Sequence, residues 1–348
     1  MTNLQDPLER VRDYYGTVLN GSSDLKTNAC CSIEDVPPHV RGMLPHIERE
    51  VLDRFYGCGA PIPPAIEECF VLDLGCGSGR DAFVASGLVG EQGRVIGVDM
   101  TAEQLAVAER NLAAQMRRFE YVHPNVELRQ GYIEDLAGIG IESNSVDVVI
   151  SDCVINLSPD KERVFAEIFR VLKPGGELYF SDVYADRRLP AELMDDPVLH
   201  GECLSGALYE EDFRRMLAEL GCPDVRITHR SPITIENEEV EQHIGFARFS
   251  SVTARAFKLD DLEDRCEDYG QSATYLGTIE HYPHRFQLDA GHEFETGRPE
   301  RVCGNTASML SDTRFQVHFR VDGTRDTHFG LFDCTPSMAE ESDGGACC

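Results

Sequence analysis

Between residues 69 and 183 the apolar positions come in short, β-branched bursts: CFVLDLG (69–75), GRVIGVDM (93–100), NVELRQG (125–131), VDVVISD (146–152) and GELYFSDV (176–183). Runs of this length without alternation predict strands buried on both faces of a sheet. Most of the intervening stretches follow a helical period instead. TAEQLAVAERNLAAQMRRF sets Leu105, Ala108, Leu112 and Met116 on one face, and Thr101 with Gln104 predicts a capping box at its start. SPDKERVFAEIFRVLK predicts a helix capped by Ser158, with Pro159 in its first turn and Pro174-Gly175-Gly176 as its stop. This alternation predicts an α/β fold, a Rossmann-like doubly wound sheet of mostly parallel strands. After the helical EEDFRRMLAEL, DVRITHRSPITI and GFARFSSVTARAFKL predict an antiparallel hairpin closing the sheet edge.

The flanks have a different texture. Residues 1–66 are helical and turn-rich. Val40, Leu44, Ile47, Val51 and Phe55 form a helical stripe that Pro45 interrupts and restarts. Past residue 258 the pattern becomes short alternating strands, TYLGTIEHYPHRFQLDAGHEFETG and RFQVHFRVDG, which predict a small α+β domain over residues 259–335. Residues 336–348, ending in MAEESDGGACC, have a disordered composition.

Charge and cysteine usage narrow the function. With 32 Lys+Arg against 61 Asp+Glu and a net charge of -29, nucleic acid and anionic membrane surfaces are unlikely partners. The start of the chain carries no apolar signal segment and no run is long enough to span a bilayer, so a cytoplasmic protein is expected. Thirteen cysteines without any C-x-x-C pair argue against both a disulfide scaffold and a zinc site. Cys69, Cys76 and Cys222 are expected to be small buried hydrophobes. Cys153, directly after the fourth strand, is expected at the switch point where α/β sheets bind ligands. It could close a core, act as a nucleophile or ligate something soft. Cys203, in the Gly-rich GECLSGALY, is expected at the same carboxyl edge.

VLDLGCGSGRD runs from a strand into Gly75, Gly77 and Gly79, a loop that lets a ligand approach bare backbone. Asp73 precedes it and is either a ligand group or a loop-stabilising acid. Asp99 ends the second strand, where a carboxylate can accept both hydroxyls of a ribose. Glu134, in GYIED, is placed to reach an adenine edge or to sit solvated in a loop. Asp152 could hold an ammonium group or make structural hydrogen bonds.

The ordered set of glycine loop, Asp99, GYIED and LKPGGEL resembles class I S-adenosylmethionine methyltransferases over roughly residues 67–258. The strings YYG, TNAC, YGCG, SDCVINLSPDK, GGELYFSDVY and GECLSGALY narrow this: they look like arsenite S-adenosylmethionine methyltransferases, from residue 14 to residue 258. The resemblance implies Cys30, Cys58, Cys153 and Cys203 as functional thiols, with Cys58, Cys153 and Cys203 as ligands of trivalent arsenic. It implies cofactor contacts from Tyr56, Asp73, Gly75, Gly77, Gly79, Asp99, Met100, Gln104, Ile133, Glu134 and Asp152. It further implies arsenite and methylarsenite, as thiol conjugates, for substrates. Mono- and dimethylated products, a detoxifying role, glutathione or thioredoxin as reductant and a monomeric state complete what it implies. The chain departs from some relatives in having Ala247 where they carry another cysteine ahead of RF. Cys31 and the terminal Cys347-Cys348 receive no role.

The chemistry is consistent on its own terms. Thiolate is the soft ligand proteins offer a soft centre. Three thiolates around arsenic leave its lone pair as the nucleophile, so no general base is needed, and the task is positioning. Two other readings stay open on the residues alone: a methyltransferase for a small carbon or oxygen nucleophile, and a non-catalytic thiol sensor. The first predicts activity without Cys153 and Cys203, and the second predicts no cofactor binding.

Overall fold

The computed structural model describes residues 7–18, 36–57, 59–190, 193, 199–200, 203–235 and 244–333. Cys30, Cys58 and the expected disordered tail lie outside the described residues. The chain divides into two compact units, one ending at Asp260 and the other starting at Asp261.

The first unit is built on an eight-stranded sheet. Its strands are β1 (Phe70–Leu74), β2 (Arg94–Asp99), β3 (Val126–Gln130), β4 (Val146–Asp152), β5 (Leu172–Ala185), β6 (Leu208–Tyr209), β7 (Arg226–Ile233) and β8 (Phe249–Phe257). They run in the order β3-β2-β1-β4-β5-β8-β7, with β6 beside β5. The first five are parallel, whereas β8 is antiparallel to both β5 and β7. Strand order therefore reverses between β1 and β4, and their carboxyl ends frame the crevice expected to bind ligand. The uninterrupted apolar runs are explained by burial: Val71, Leu72, Val148, Val149 and Ile150 are all 0% exposed.

The helices are α1 (Pro7–Asp13), α2 (Pro38–Met43), α3 (Arg49–Leu52), α4 (Arg80–Val89), α5 (Ala102–Arg118), α6 (Lys161–Val171) and α7 (Glu210–Glu219). The stripe around Pro45 is not one continuous helix. Leu44–His46 forms a 3-10 turn and Ile47 is extended, so α2 and α3 are separate short pieces. Val40, Ile47 and Val51 are nonetheless buried in one core with Phe83 and Val84 of α4. Phe55 falls beyond α3, outside any helix.

Both predicted side-chain caps give way to tertiary bonds. Thr101 occupies the N-cap of α5 without a side-chain cap bond, and Gln104 Nε2 donates to the Tyr15 carbonyl at 2.9 Å. At α6 the cap is Asp160, which accepts from Arg163 N at 3.1 Å, while Ser158 donates its hydroxyl to Glu134. Pro174-Gly175-Gly176 does not form a free loop either, since β5 begins at Leu172 and its ladder with β4 shifts register across this stretch.

Within the sheet, Arg255 of β8 and Glu177 of β5 form an ion pair at 2.6 Å with side chains 1% and 0% exposed. Tyr179 and Phe257 each face the guanidinium at 5.3 Å.

The second unit has an antiparallel sheet of β9 (Ser272–Tyr275), β12 (Pro299–Arg301) and β13 (Phe319–Asp322), in the order β12-β9-β13. A hairpin, β10 (Arg285–Asp289) with β11 (His292–Glu295), and one helix, α8 (Gly304–Ser311), complete it. Its core is aromatic, with Tyr275, Phe286, Phe294 and Phe315 fully buried. Among the described residues no helix is long and apolar enough to cross a membrane.

Candidate active site

The turn after β1 is shaped by backbone that only glycine adopts freely. Gly75 and Gly77 have φ of +70° and +52°, and the Val98 carbonyl accepts from both Gly75 N (2.8 Å) and Cys76 N (3.0 Å). A Cβ on Gly77 would meet nothing within 4 Å, so this side of the loop is open. Asp99, at the end of β2, accepts Gly77 N on one carboxylate oxygen and Thr101 N on the other, each at 2.8 Å. Burial raises the pKa of Asp99, and the Thr101 and Gly77 amides oppose it.

This turn forms one wall of a cleft. Asp73, Gly75, Gly77 and Asp99 line it, as do Met100, Gln104, Ile133, Glu134 and Asp152. Gly79 does not. It is the N-cap of α4, where an added Cβ would press on Ala108 at 3.0 Å and Phe83 at 3.2 Å. Across the cleft stand Leu8, Val11, Tyr15 and Tyr56, the two tyrosines meeting edge to face at 5.7 Å.

The cleft is strongly acidic. Asp73 is 3% exposed, and its Oδ2 makes no hydrogen bond. Burial, then the carboxylates of Asp81, Asp152 and Asp99, raise its pKa well above the usual range, with Arg80 opposing. Arg80 donates to Asp81 at 2.8 Å and to the Gly59 carbonyl at 3.0 Å, and stacks on Phe55 at 3.3 Å. A Cβ on Gly57 would lie 2.1 Å from Asp152 Oδ2, so only glycine lets this strap approach so closely. The orphaned oxygens of Asp73 and Gln104, together with the excess of acids, suit a ligand that brings donors and positive charge.

Beside the cleft two cysteine sulfurs converge. Cys153 and Cys203 are 7% and 4% exposed and sit at φ of +54° and +61°. Non-glycine residues pay about 1–2 kcal/mol for that conformation, so tertiary contacts hold it in place. The Cys153 amide donates to Ser181 O at 2.8 Å, and the Cys203 thiol donates to Cys153 O at 3.1 Å. Both Sγ atoms and a carboxylate oxygen of Asp182 lie within 4.8 Å of one another. Cys153 is disulfide-bonded, whereas Cys203 is a free thiol. Cys76 and Cys222 are buried and burial raises their pKa, that of Cys222 to about 12, which leaves both inert. Cys69 is only half-buried.

Sequence reasoning missed three groups here. Asp182 is 1% exposed and accepts from Asn156 N at 3.1 Å, Asn156 Nδ2 at 2.7 Å and Val183 N at 2.9 Å. Burial pushes its pKa up to about 7, against these donors and the nearby Lys161. Lys161 donates to Ser158 O at 2.9 Å, and burial lowers its pKa while Asp182, Cys203 and Glu134 oppose. Arg80 is the third.

Comparison with known proteins matches this geometry. A methyltransferase domain model matches residues 67–221, and an arsenite methyltransferase C-terminal domain model matches residues 269–343. The arsenite methyltransferase of Aquipseudomonas alcaligenes is 53% identical over 93% of each chain. That of Homo sapiens is 44% identical over 89% of this chain and 82% of the relative. A crystal structure of an arsenic(III) S-adenosylmethionine methyltransferase from Chlamydomonas reinhardtii superposes with a TM-score of 0.82 at 50% identity, covering 85% of this chain and 99% of that one. Matched along nearly the whole length of such a relative, this chain belongs to the arsenite methyltransferase family.

Proposed function

We propose that the protein transfers methyl groups from S-adenosylmethionine to trivalent arsenic held by cysteine thiolates, giving mono- and dimethylated arsenicals. The observation that carries this reading is the pair of buried cysteines adjoining an acidic cleft at the carboxyl edge of the sheet. When bound, the cofactor supplies an electrophilic methyl group on a sulfonium. Asp99 would hold the ribose hydroxyls, Glu134 the adenine edge, and Asp73 and Asp152 the methionyl ammonium. Cys153, Cys203 and Cys58 would hold arsenic with its lone pair toward the methyl carbon. The disulfide at Cys153 supports a need for a thiol reductant, glutathione or thioredoxin, because an oxidised sulfur cannot ligate arsenic.

The direct test incubates reduced protein with S-adenosylmethionine, arsenite and thiol, and speciates arsenic over time. Methylated arsenicals are expected; none, from protein that binds the cofactor, overturns the reading. Asp99→Ala should weaken cofactor binding by one to two decades, the loss of charge-assisted bonds worth roughly 1.5–3 kcal/mol, and leave arsenite binding nearly intact. Unchanged cofactor affinity in a titration would displace the ribose site. Leu8, Val11, Tyr15 and Tyr56 make the N-terminal region a cover for the cleft. Hydrogen exchange in α1 through α3 should slow on adding cofactor and arsenite, and equal rates would argue against a lid.

A further inference from the structure

Methyl transfer moves charge as well as a methyl group. The arsenic lone pair forms the new As–C bond, while the C–S bond breaks and leaves its electron pair on sulfur. The sulfonium becomes a neutral thioether, and arsenic with three thiolates becomes a methylarsonium bearing one positive charge. On the donor side, Asp73, Asp99 and Asp152 favour the charge where it starts. Arg80, 3.9 Å from Asp152, offsets these acids in part, and what remains of their field opposes the reaction.

Asp182 stands on the acceptor side. One of its carboxylate oxygens lies within 4.8 Å of both cysteine sulfurs, and the residue is 1% exposed. Its own strand, β5, and the turn after β4 aim N–H groups at it from Val183 and Asn156. The nearby cation, Lys161, interacts with Asp182, Cys203 and Glu134 together, and its ammonium is directed to the Ser158 carbonyl. We propose that Asp182 is the counter-charge that stabilises arsenic as it becomes positive, a role that rests on the reading of this site as thiol-bound arsenic. A carboxylate fixed before reaction, in low dielectric, acts on developing charge without reorganising. It would act in each methylation, because each one generates an arsonium.

The same charge has an opposite effect on the empty site. A carboxylate beside a thiol disfavours its thiolate. Asp182→Asn should therefore lower kcat roughly 10- to 100-fold for arsenite and monomethylarsenite alike, with cofactor and arsenite dissociation constants unchanged. Followed against pH in the reduced protein, alkylation of Cys203 by iodoacetamide should move its midpoint to lower pH. Loosening of the fold would instead speed alkylation of this buried thiol at every pH and leave the midpoint in place. An unchanged kcat overturns the proposal, and so does a loss of arsenite binding parallel to the loss of rate. If Asp182→Asn does not fold, Asp182→Glu and Asp182→Gln compare charge at equal length, and equal rates overturn it. Cys203→Ser run in parallel tests the underlying reading: arsenite binding unaffected by that change would sink the thiol site itself, independently of Asp182.

Discussion

Cys153→Ser and Cys203→Ser are each expected to abolish methylation of arsenite and of monomethylarsenite, whereas Cys30→Ser and Cys58→Ser should stop or sharply slow only the first. The argument is stoichiometric. Arsenite has three exchangeable ligands, but a methylated trivalent arsenical has two, because its carbon does not exchange. The first step therefore needs three protein thiols and the second needs two. Cys153 and Cys203 are the pair held together at the sheet edge, both buried and both fixed by backbone in a strained conformation. On the proposed reading the third thiol is Cys30 or Cys58, and Cys31→Ser should do little. A cysteine spared by this count can still serve as a disulfide partner that returns oxidised arsenic to the trivalent state, so ample reductant is required. Product speciation for each variant with each substrate decides the matter. Robust second methylation by Cys153→Ser or Cys203→Ser would overturn the assignment.

Glu177→Gln should destabilise the first unit by about 3–5 kcal/mol, because it removes the carboxylate charge that offsets the buried Arg255 guanidinium. Both side chains are almost wholly inaccessible, and their 2.6 Å contact bridges β5 and β8. The double variant Glu177→Leu with Arg255→Met removes both charges and should recover most of the stability, since apolar packing can substitute for a buried pair. Urea denaturation of the three proteins measures this. A loss below about 1 kcal/mol in Glu177→Gln would mean that the arginine finds another route to solvation.

The sheet was legible because its strands are buried on both faces, which makes each one a dense apolar run. The glycine loop and Asp99 could be found because their chemistry is local, a few residues of special backbone next to an acid. What escaped was set by competition over distance. Thr101 and Gln104 have the sequence of a capping box, yet Gln104 is drawn to a carbonyl 89 residues away. Ser158 is taken by Glu134 in the same manner. Asp182 lies within a strand and carries no motif; its partner Asn156 is 26 residues earlier. Cys203 follows a segment outside the strand pattern, so only its flanking string, not periodicity, marked it.

Val11 of α1 is 2% exposed and packs in the same apolar cluster as Cys153 and Cys203, with Ala247 also against it. On the proposed reading, a substrate tied to those sulfurs would share its apolar surroundings with a short helix near the start of the chain. Spent nucleoside would then leave from the neighbouring cleft, while a half-finished arsenical would wait for that helix to lift or for its sulfur bonds to exchange. The partition between release after one methyl group and retention for a second then becomes a race, timed as much by the opening of seven residues as by the chemistry beneath them.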